Sequence, residues 1–299
     1  MFKIASLLTL VHVAADSTAA EKWYRDVFGA HVFWRGEHSA TRSLAIKLVI
    51  GDLPVEILTG TASPSGPSGI SKFYDRYGER LYSLTWNVPN LKDCFDTLHA
   101  HGIRLHNAAG QTLTAAPEKK AIFTHPRDTS GGLEFALESA HVDDRAHDPG
   151  PPVSYWHDTH PLGIAGISHL STLVPDLEQA THLYRDVLGC RLFHSAVHAG
   201  EYSSAFFAVG NHSVIEARQP LPGSATARTL ATHGVGAFGI TFKVRDLGKA
   251  VAHLAAHGVH TESQAAGMAI TRPEHSFGVR FGFADAALPG DARFRSIPA

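Results

Sequence analysis

The feature that most narrows what this chain can fold into is that it repeats itself. Residues 16–29, DSTAAEKWYRDVFG, return as residues 176–189, DLEQATHLYRDVLG, an offset of 176 − 16 = 160. The same offset relates Glu56 to Glu216, so the repeat reads as gapless from the first segment to these carboxylates. A second pair, LYSLTWNVPNLKDCFDTLHAHGI from Leu81 and AFGITFKVRDLGKAVAHLAAHGV from Ala237, is offset by 237 − 81 = 156. Self-similarity of this kind marks a chain assembled from copies of one supersecondary unit.

Each copy has the same grammar. A β-rich run such as ISHLSTLV (167–174) ends at a Pro/Asp turn, and a helix follows with Ala180, Leu183, Tyr184, Val187 and Leu188 on one face. Asp176 stands where an N-cap belongs and Gly189 where a helix stops. Strand-like runs come next, for example Ser204–Val209 and Ser213–Ala217 about a Gly-Asn-His turn. The reading is α+β: four βαβββ modules over residues 5–60, 80–139, 164–220 and 235–285. A βαβββ unit covers one sheet face with its helix and leaves the other open. The modules must therefore pair, giving two cup-shaped half-barrels whose interior is the place for a ligand. The expected domains are 1–139 and 164–299, joined by a Pro/Asp/Gly-rich linker, 140–163.

This organisation settles two local ambiguities. Met1–Ala15 resembles a signal peptide, with Lys3, an apolar run from Ile4 to Val13 and small residues after it. The repeat makes the run a first strand instead, expected over residues 5–15. Most of the 21 histidines are solvated or structural: His101 and His257 precede glycines at helix ends, and His141, His147, His157 and His160 lie in the linker. A net charge of −2 gives no case for nucleic acid or an anionic membrane, and no apolar run approaches the ~18 residues of a span. Two cysteines cannot build a disulfide framework, so a cytoplasmic location is expected. The expected partner is a small molecule, and a homodimer is compatible with such an array.

At YRDVFG and YRDVLG, each after a β-run and an Asp-capped helix, the chain resembles the vicinal-oxygen-chelate superfamily: glyoxalase I, methylmalonyl-CoA epimerase, extradiol dioxygenases and the fosfomycin and bleomycin resistance proteins. FTHPRDTSGGLEF (123–135) is similar to the closing strand of the glyoxalase and epimerase branch. The resemblance implies metal ligands at two places per module: on the first strand seven residues before the turn Asp, usually His, and on the last strand, usually Glu. In module three these are His169 and Glu216; in module one, Thr9 and Glu56; in module two, Ser83 and Glu134. Module four has Gly239, with Arg280 or Gly282 according to register.

Sequential pairing of modules would leave Glu56 with Glu134 and His169 with Glu216. Crossed pairing, two with three and one with four, would gather Glu134, His169 and Glu216 around one divalent ion (Zn, Ni, Mn or Fe) and is preferred because it concentrates the ligands. His12 has the opposite strand parity to Thr9 and is read as structural, facing the helix. His233 and His275 are weaker loop candidates. Ser83, Thr85, Asn87, Thr241 and Lys243 have cup-facing parity and are expected to line a polar substrate site. The leading expectation is a metal-dependent isomerase or lyase in which the ion stabilises an enediolate and Glu134 or Glu216 moves the proton. A binding or resistance protein is the alternative. A ring-cleaving dioxygenase ranks third, since its two His and one Glu from modules three and four are not all present.

Overall fold

The repeats dictate where strands and helices begin. The structure, a computed structural model, describes residues 2–61, 66–118, 121–137, 148–210, 212–264 and 267–294. Module one runs β1 (Ser6–Val13), α1 (Ser17–Phe28), β2 (His31–His38), β3 (Ser43–Ile50) and β4 (Leu53–Gly60). After α2 (Gly69–Tyr77), module two runs β5 (Arg80–Asn87), α3 (Leu91–Ala100), β6 (Leu105–His106), β7 (Ile122–Thr124) and β8 (Leu133–Ala136). Module three is β9 (Ile164–Leu173), α4 (Leu177–Thr181, continuing as π-helix over His182–Val187), β10 (Arg191–His198), β11 (Tyr202–Val209) and β12 (Ser213–Pro220). After α5 (Ala225–His233), module four is β13 (Gly236–Val244), α6 (Leu247–Ala256), β14 (Thr261–Gln264), β15 (Met268–Thr271) and β16 (Arg280–Ala284).

The predicted caps form. Asp176 accepts from the backbone N–H groups of Glu178 and Gln179, and Asp16 does the same for α1. Gly29 and Gly189 take the left-handed φ of +59° and +69° that ends a helix. His101 and His257 are the C-cap residues of α3 and α6. The run read as a first strand is one, as β1. Helices α2 and α5 were not expected. Their segments look like Ser/Gly/Pro connections, yet Ser68 and Ser224 act as N-caps, accepting from the N–H groups of Ser71 and Ala227. The segment read as one closing strand is a hairpin: β7, an eight-residue turn over 125–132, and β8. Gly131 in that turn has φ +107°, and a Cβ there would lie 1.9 Å from the Cα of Gly236, so only glycine permits the approach.

Strand register shows that the 160-residue offset is not gapless. His38 pairs with Ser43 in module one, but His198 pairs with Tyr202 in module three, so β11 lies at an offset of 202 − 43 = 159. Lys47 then pairs with Glu56, and Phe206 with Glu216. A residue lost in the β2–β3 turn is regained in the β3–β4 turn, and the two changes cancel at Glu216.

Two eight-stranded mixed sheets result, with strand orders β2-β3-β4-β1-β5-β8-β7-β6 and β10-β11-β12-β9-β13-β16-β15-β14. Modules one and two share a sheet, and so do three and four. Within the sheets, then, the first strands of consecutive modules are hydrogen-bonded neighbours. By contacts, however, the chain divides into compact units of the crossed kind. One comprises Met1–Leu8, Tyr82–Val142 and Leu170–Phe238, the other Thr9–Leu81, Asp143–His169 and Gly239–Ala299.

In the second unit α1 supplies Trp23, Tyr24 and Phe28 to a ring cluster with Phe242, Phe281 and Phe283. His12 faces this side, as its parity predicts, with Nδ1 3.1 Å from the Tyr24 hydroxyl and Nε2 2.8 Å from the Phe277 carbonyl. The described part of the linker packs here too: Trp156 is fully buried and donates from Nε1 to the carbonyl of Phe28 at 2.8 Å. His141 and His147 lie outside the described residues. In the first unit Tyr184 of α4 stacks on Phe207 of β11, their centroids 5.2 Å apart. Residues of opposite parity on β11, namely Tyr202, Ser204 and Phe206, accordingly face away from the helix.

Candidate functional site

The helix-free faces carry the candidate ligands, and register aligns them. Glu56, Glu134 and Glu216 pair with Val11, Thr85 and Ser171 on the neighbouring first strands. In module four the same relation joins Gly282 to Thr241, while Arg280 pairs with Gly239. The last-strand position of module four is thus Gly282.

Module three holds the densest arrangement. Glu216, 1% exposed, accepts from the Ser171 hydroxyl at 2.7 Å and from Nε of Arg218 at 2.6 Å. Arg218 follows two residues later on β12, which puts both side chains on one face. Burial works against its charge, but the Glu216 carboxylate, the Tyr202 oxygen and the hydrogen bond outweigh it and hold the guanidinium above its ordinary pKa. The guanidinium carbon lies 4.7 Å from the Tyr202 ring centre and 5.6 Å from that of Phe238. His198 stacks on Tyr202, their ring centres 4.2 Å apart. Ser204 pairs directly with Arg218 across β11 and β12 and is 1% exposed.

The other expected site residues are differently placed. Glu134 accepts from the Thr85 hydroxyl at 2.7 Å and adds its charge to the burial that raises the Tyr82 phenol. It stands on the sheet of modules one and two, whereas His169 and Glu216 stand on that of three and four. His169 is buried, with Nδ1 3.1 Å from the Ser168 hydroxyl. Near it Arg293 bonds the carbonyls of Ile167 and Ser168 and the carboxylate of Asp291. Burial pushes the Asp291 carboxyl up, but the hydrogen bonds from Arg293, and last the charge of His169, bring it below its ordinary range. Ser83 is buried with a hydroxyl that no described group bonds. Asn87 is buried at the end of β5, where its carbonyl accepts from Ala5 N–H. Lys243 donates to the carbonyl of Val244 at 2.9 Å. In module four the ligand positions have closed: a Cβ at Gly282 would lie 2.5 Å from the Thr241 hydroxyl, and one at Gly239 2.8 Å from the Arg280 carbonyl. His275 accepts from the backbone N–H of His260.

Module one holds residues the sequence reading passed over. His38 Nε2 meets Glu56 Oε1 at 2.8 Å, and the two side chains are 34% and 10% exposed. Lys47, paired with Glu56 across β3 and β4, puts its ammonium 4.7 Å from the Trp34 ring centre. The indole lies along β2 over Gly36, where a Cβ would come within 2.5 Å of it, and stacks on His38 at 5.3 Å. Only the β2–β3–β4 register brings these four together. No local motif signals them.

A divalent ion needs several anionic or neutral donors free to turn toward it. Here the most buried carboxylate of the set is already met by a guanidinium, and module four offers two glycines. Among the described residues no group of three His, Cys, Asp or Glu side chains is placed to hold an ion. As placed, the described donors do not fit a metal.

Comparison with known proteins is consistent with the repeat. Residues 7–147 and 168–277 each match a family model described as the Glyoxalase/Bleomycin resistance protein/Dioxygenase superfamily. A mutant of 4-hydroxymandelate synthase from Streptomyces coelicolor is similar over 96% of this chain and 94% of its own, with TM-score 0.68 and 14% identity. A xylose isomerase-like TIM barrel/4-hydroxyphenylpyruvate dioxygenase fusion protein is similar over 99% of this chain and 51% of its own, with TM-score 0.61 and 14% identity. At such identity these likenesses are of fold alone. Methylmalonyl-CoA epimerase from Mycobacterium tuberculosis aligns with 42% of this chain and 90% of its own at 26% identity, with a TM-score of only 0.38. No curated protein matches. Among the described residues no helix is long and apolar enough to cross a membrane.

Proposed function

We propose that this chain, which belongs to the Glyoxalase/Bleomycin resistance protein/Dioxygenase superfamily, binds a small molecule on the helix-free face of its third module without a resident metal ion. Proteins of this superfamily typically bind a divalent metal, and the isomerase or lyase chemistry that the resemblance implies would run through one. The observation that carries the metal-free reading is the Arg218–Glu216 pair. A carboxylate in a low-dielectric site must be met by a positive charge or by donors. In this chain the charge is covalently attached two residues away, and an ion would have to displace it. Ser171 reinforces the arrangement by fixing the other contact of Oε2.

The test is metal analysis of the purified protein, followed by calorimetric titration with Zn, Ni, Mn and Fe(II). The expected result is substoichiometric metal, unchanged in His169→Ala, and organic-ligand binding that survives a chelator. One equivalent of ion, lost in His169→Ala or Glu216→Gln, would overturn the reading and restore the metal-dependent one.

A further inference from the structure

Arg218 is provided with more donors than the fold uses. Its one hydrogen bond among the described residues runs from Nε to Glu216. Both Nη atoms, which carry four N–H groups between them, have no such partner, although the side chain is only 7% exposed. Directly across the strand pair, the Ser204 hydroxyl is buried and also has no hydrogen-bond partner. A buried hydroxyl without a partner costs free energy, and native interiors seldom keep one beside an unpaired guanidinium edge without a purpose. The surroundings are aromatic: the rings of Tyr202 and Phe238 lie against the guanidinium, and His198 stacks on Tyr202.

We propose that the Nη edge of Arg218 and the Ser204 hydroxyl form an oxyanion pocket that takes the carboxylate of a small aromatic acid. The planar guanidinium fork matches a carboxylate in two parallel hydrogen bonds, which a lysine ammonium cannot reproduce. Glu216 has a defined part in this. It balances the guanidinium while the pocket waits, and by holding Nε it turns the Nη edge away from its own strand. Tyr202 and Phe238 supply flat apolar surface for the remainder of the ligand, so a ring-bearing acid gains contacts that acetate does not. The pocket rests on the metal-free reading in one respect, that Arg218 rather than an ion meets Glu216.

The experiment is calorimetry on the full chain with benzoate, phenylacetate, acetate, benzamide and inorganic phosphate, with and without chelator. Benzoate and phenylacetate should bind, acetate at least ~10-fold more weakly, and benzamide and phosphate not at all. Arg218→Lys keeps a cation beside Glu216 and so spares the fold; it should weaken benzoate ~10-fold or more, as should Ser204→Ala to a smaller degree. Benzamide or phosphate binding as tightly as benzoate would overturn the pocket, as would an unchanged affinity in Arg218→Lys. No binding of any acid by a protein free of metal would overturn the pocket and leave the metal-free reading standing. Acid binding that disappears with the chelator would overturn both.

Discussion

Replacing Arg218 by methionine isolates the interaction on which the site depends. The change keeps much of the side chain's volume and removes the charge that meets Glu216, whose side chain is 1% exposed. Breaking a buried pair by removing one member costs about 3–5 kcal/mol, because the surviving charge has neither water nor counter-ion. The Ser171 hydrogen bond to Glu216 remains, and a hydrogen bond to a charged group is worth about 1.5–3 kcal/mol, so the loss should fall near 3 kcal/mol. Urea unfolding at neutral pH, analysed for midpoint and slope together, reads this directly. Adding Glu216→Gln in the same chain removes the stranded charge while leaving Ser171 an amide oxygen to bond. That double variant should recover to within about 1–2 kcal/mol of the parent. A single variant within ~1 kcal/mol of the parent, or a double variant no better than the single, would refute the argument. A single variant whose midpoint rises as Zn or Ni is added would refute it in another way, by showing that the carboxylate prefers an ion once Arg218 is gone.

His12 is held at about 4 by complete burial, against the Phe277 carbonyl, which raises it. Because the unfolded histidine titrates near 6.5, its contribution is whole above that pH and is lost as pH falls toward 4, up to about 3 kcal/mol. His12→Gln should flatten the stability–pH curve over that window, and an unchanged slope would contradict the assignment. Gly131→Ala meets both a forbidden φ and the backbone of Gly236, and should destabilise by more than ~3 kcal/mol or abolish soluble folding; a variant with parental unfolding behaviour would show that the turn sits elsewhere. In module one the Glu56 contact makes Nε2 the protonated nitrogen of neutral His38. Nitrogen chemical shifts should report that tautomer in the parent and a mixture in Glu56→Gln, while a protonated Nδ1 in the parent would remove the pair.

What could be read from the letters follows from how local each signal is. Asp16 and Asp176 announce their helices because a cap is decided within three residues. His12 could be turned toward α1 from parity alone. The compensating turns could not be seen, since identity at Glu56 and Glu216 conceals a shift that begins and ends between them. Helices α2 and α5 were hidden for a different reason: Ser, Gly and Pro before their first turn are loop residues and cap residues alike. Sheet pairing was undetermined in principle, because a linker of two dozen residues or so reaches either partner. Arg218 is the one omission that parity could have repaired. It lies two residues from Glu216 on a strand, hence on the same face, and a buried carboxylate in an apolar strand calls for the nearest cation as its partner.

The four modules answer one physical demand in four ways. A carboxylate on the last strand faces the covered interior and must be satisfied. Module three meets it with a guanidinium from the same strand, fixed in register however the sheets pair. Module one meets it with His38 from two strands away, beside a cross-strand lysine. Module two brings the hydroxyl of Thr85 to a carboxylate that is half-buried. Module four has no carboxylate, and Thr241 fills the space beside Gly282. In module three the guanidinium of Arg218 meets its carboxylate through Nε, and among the described residues no group accepts from either Nη, which is the edge proposed to take a ligand.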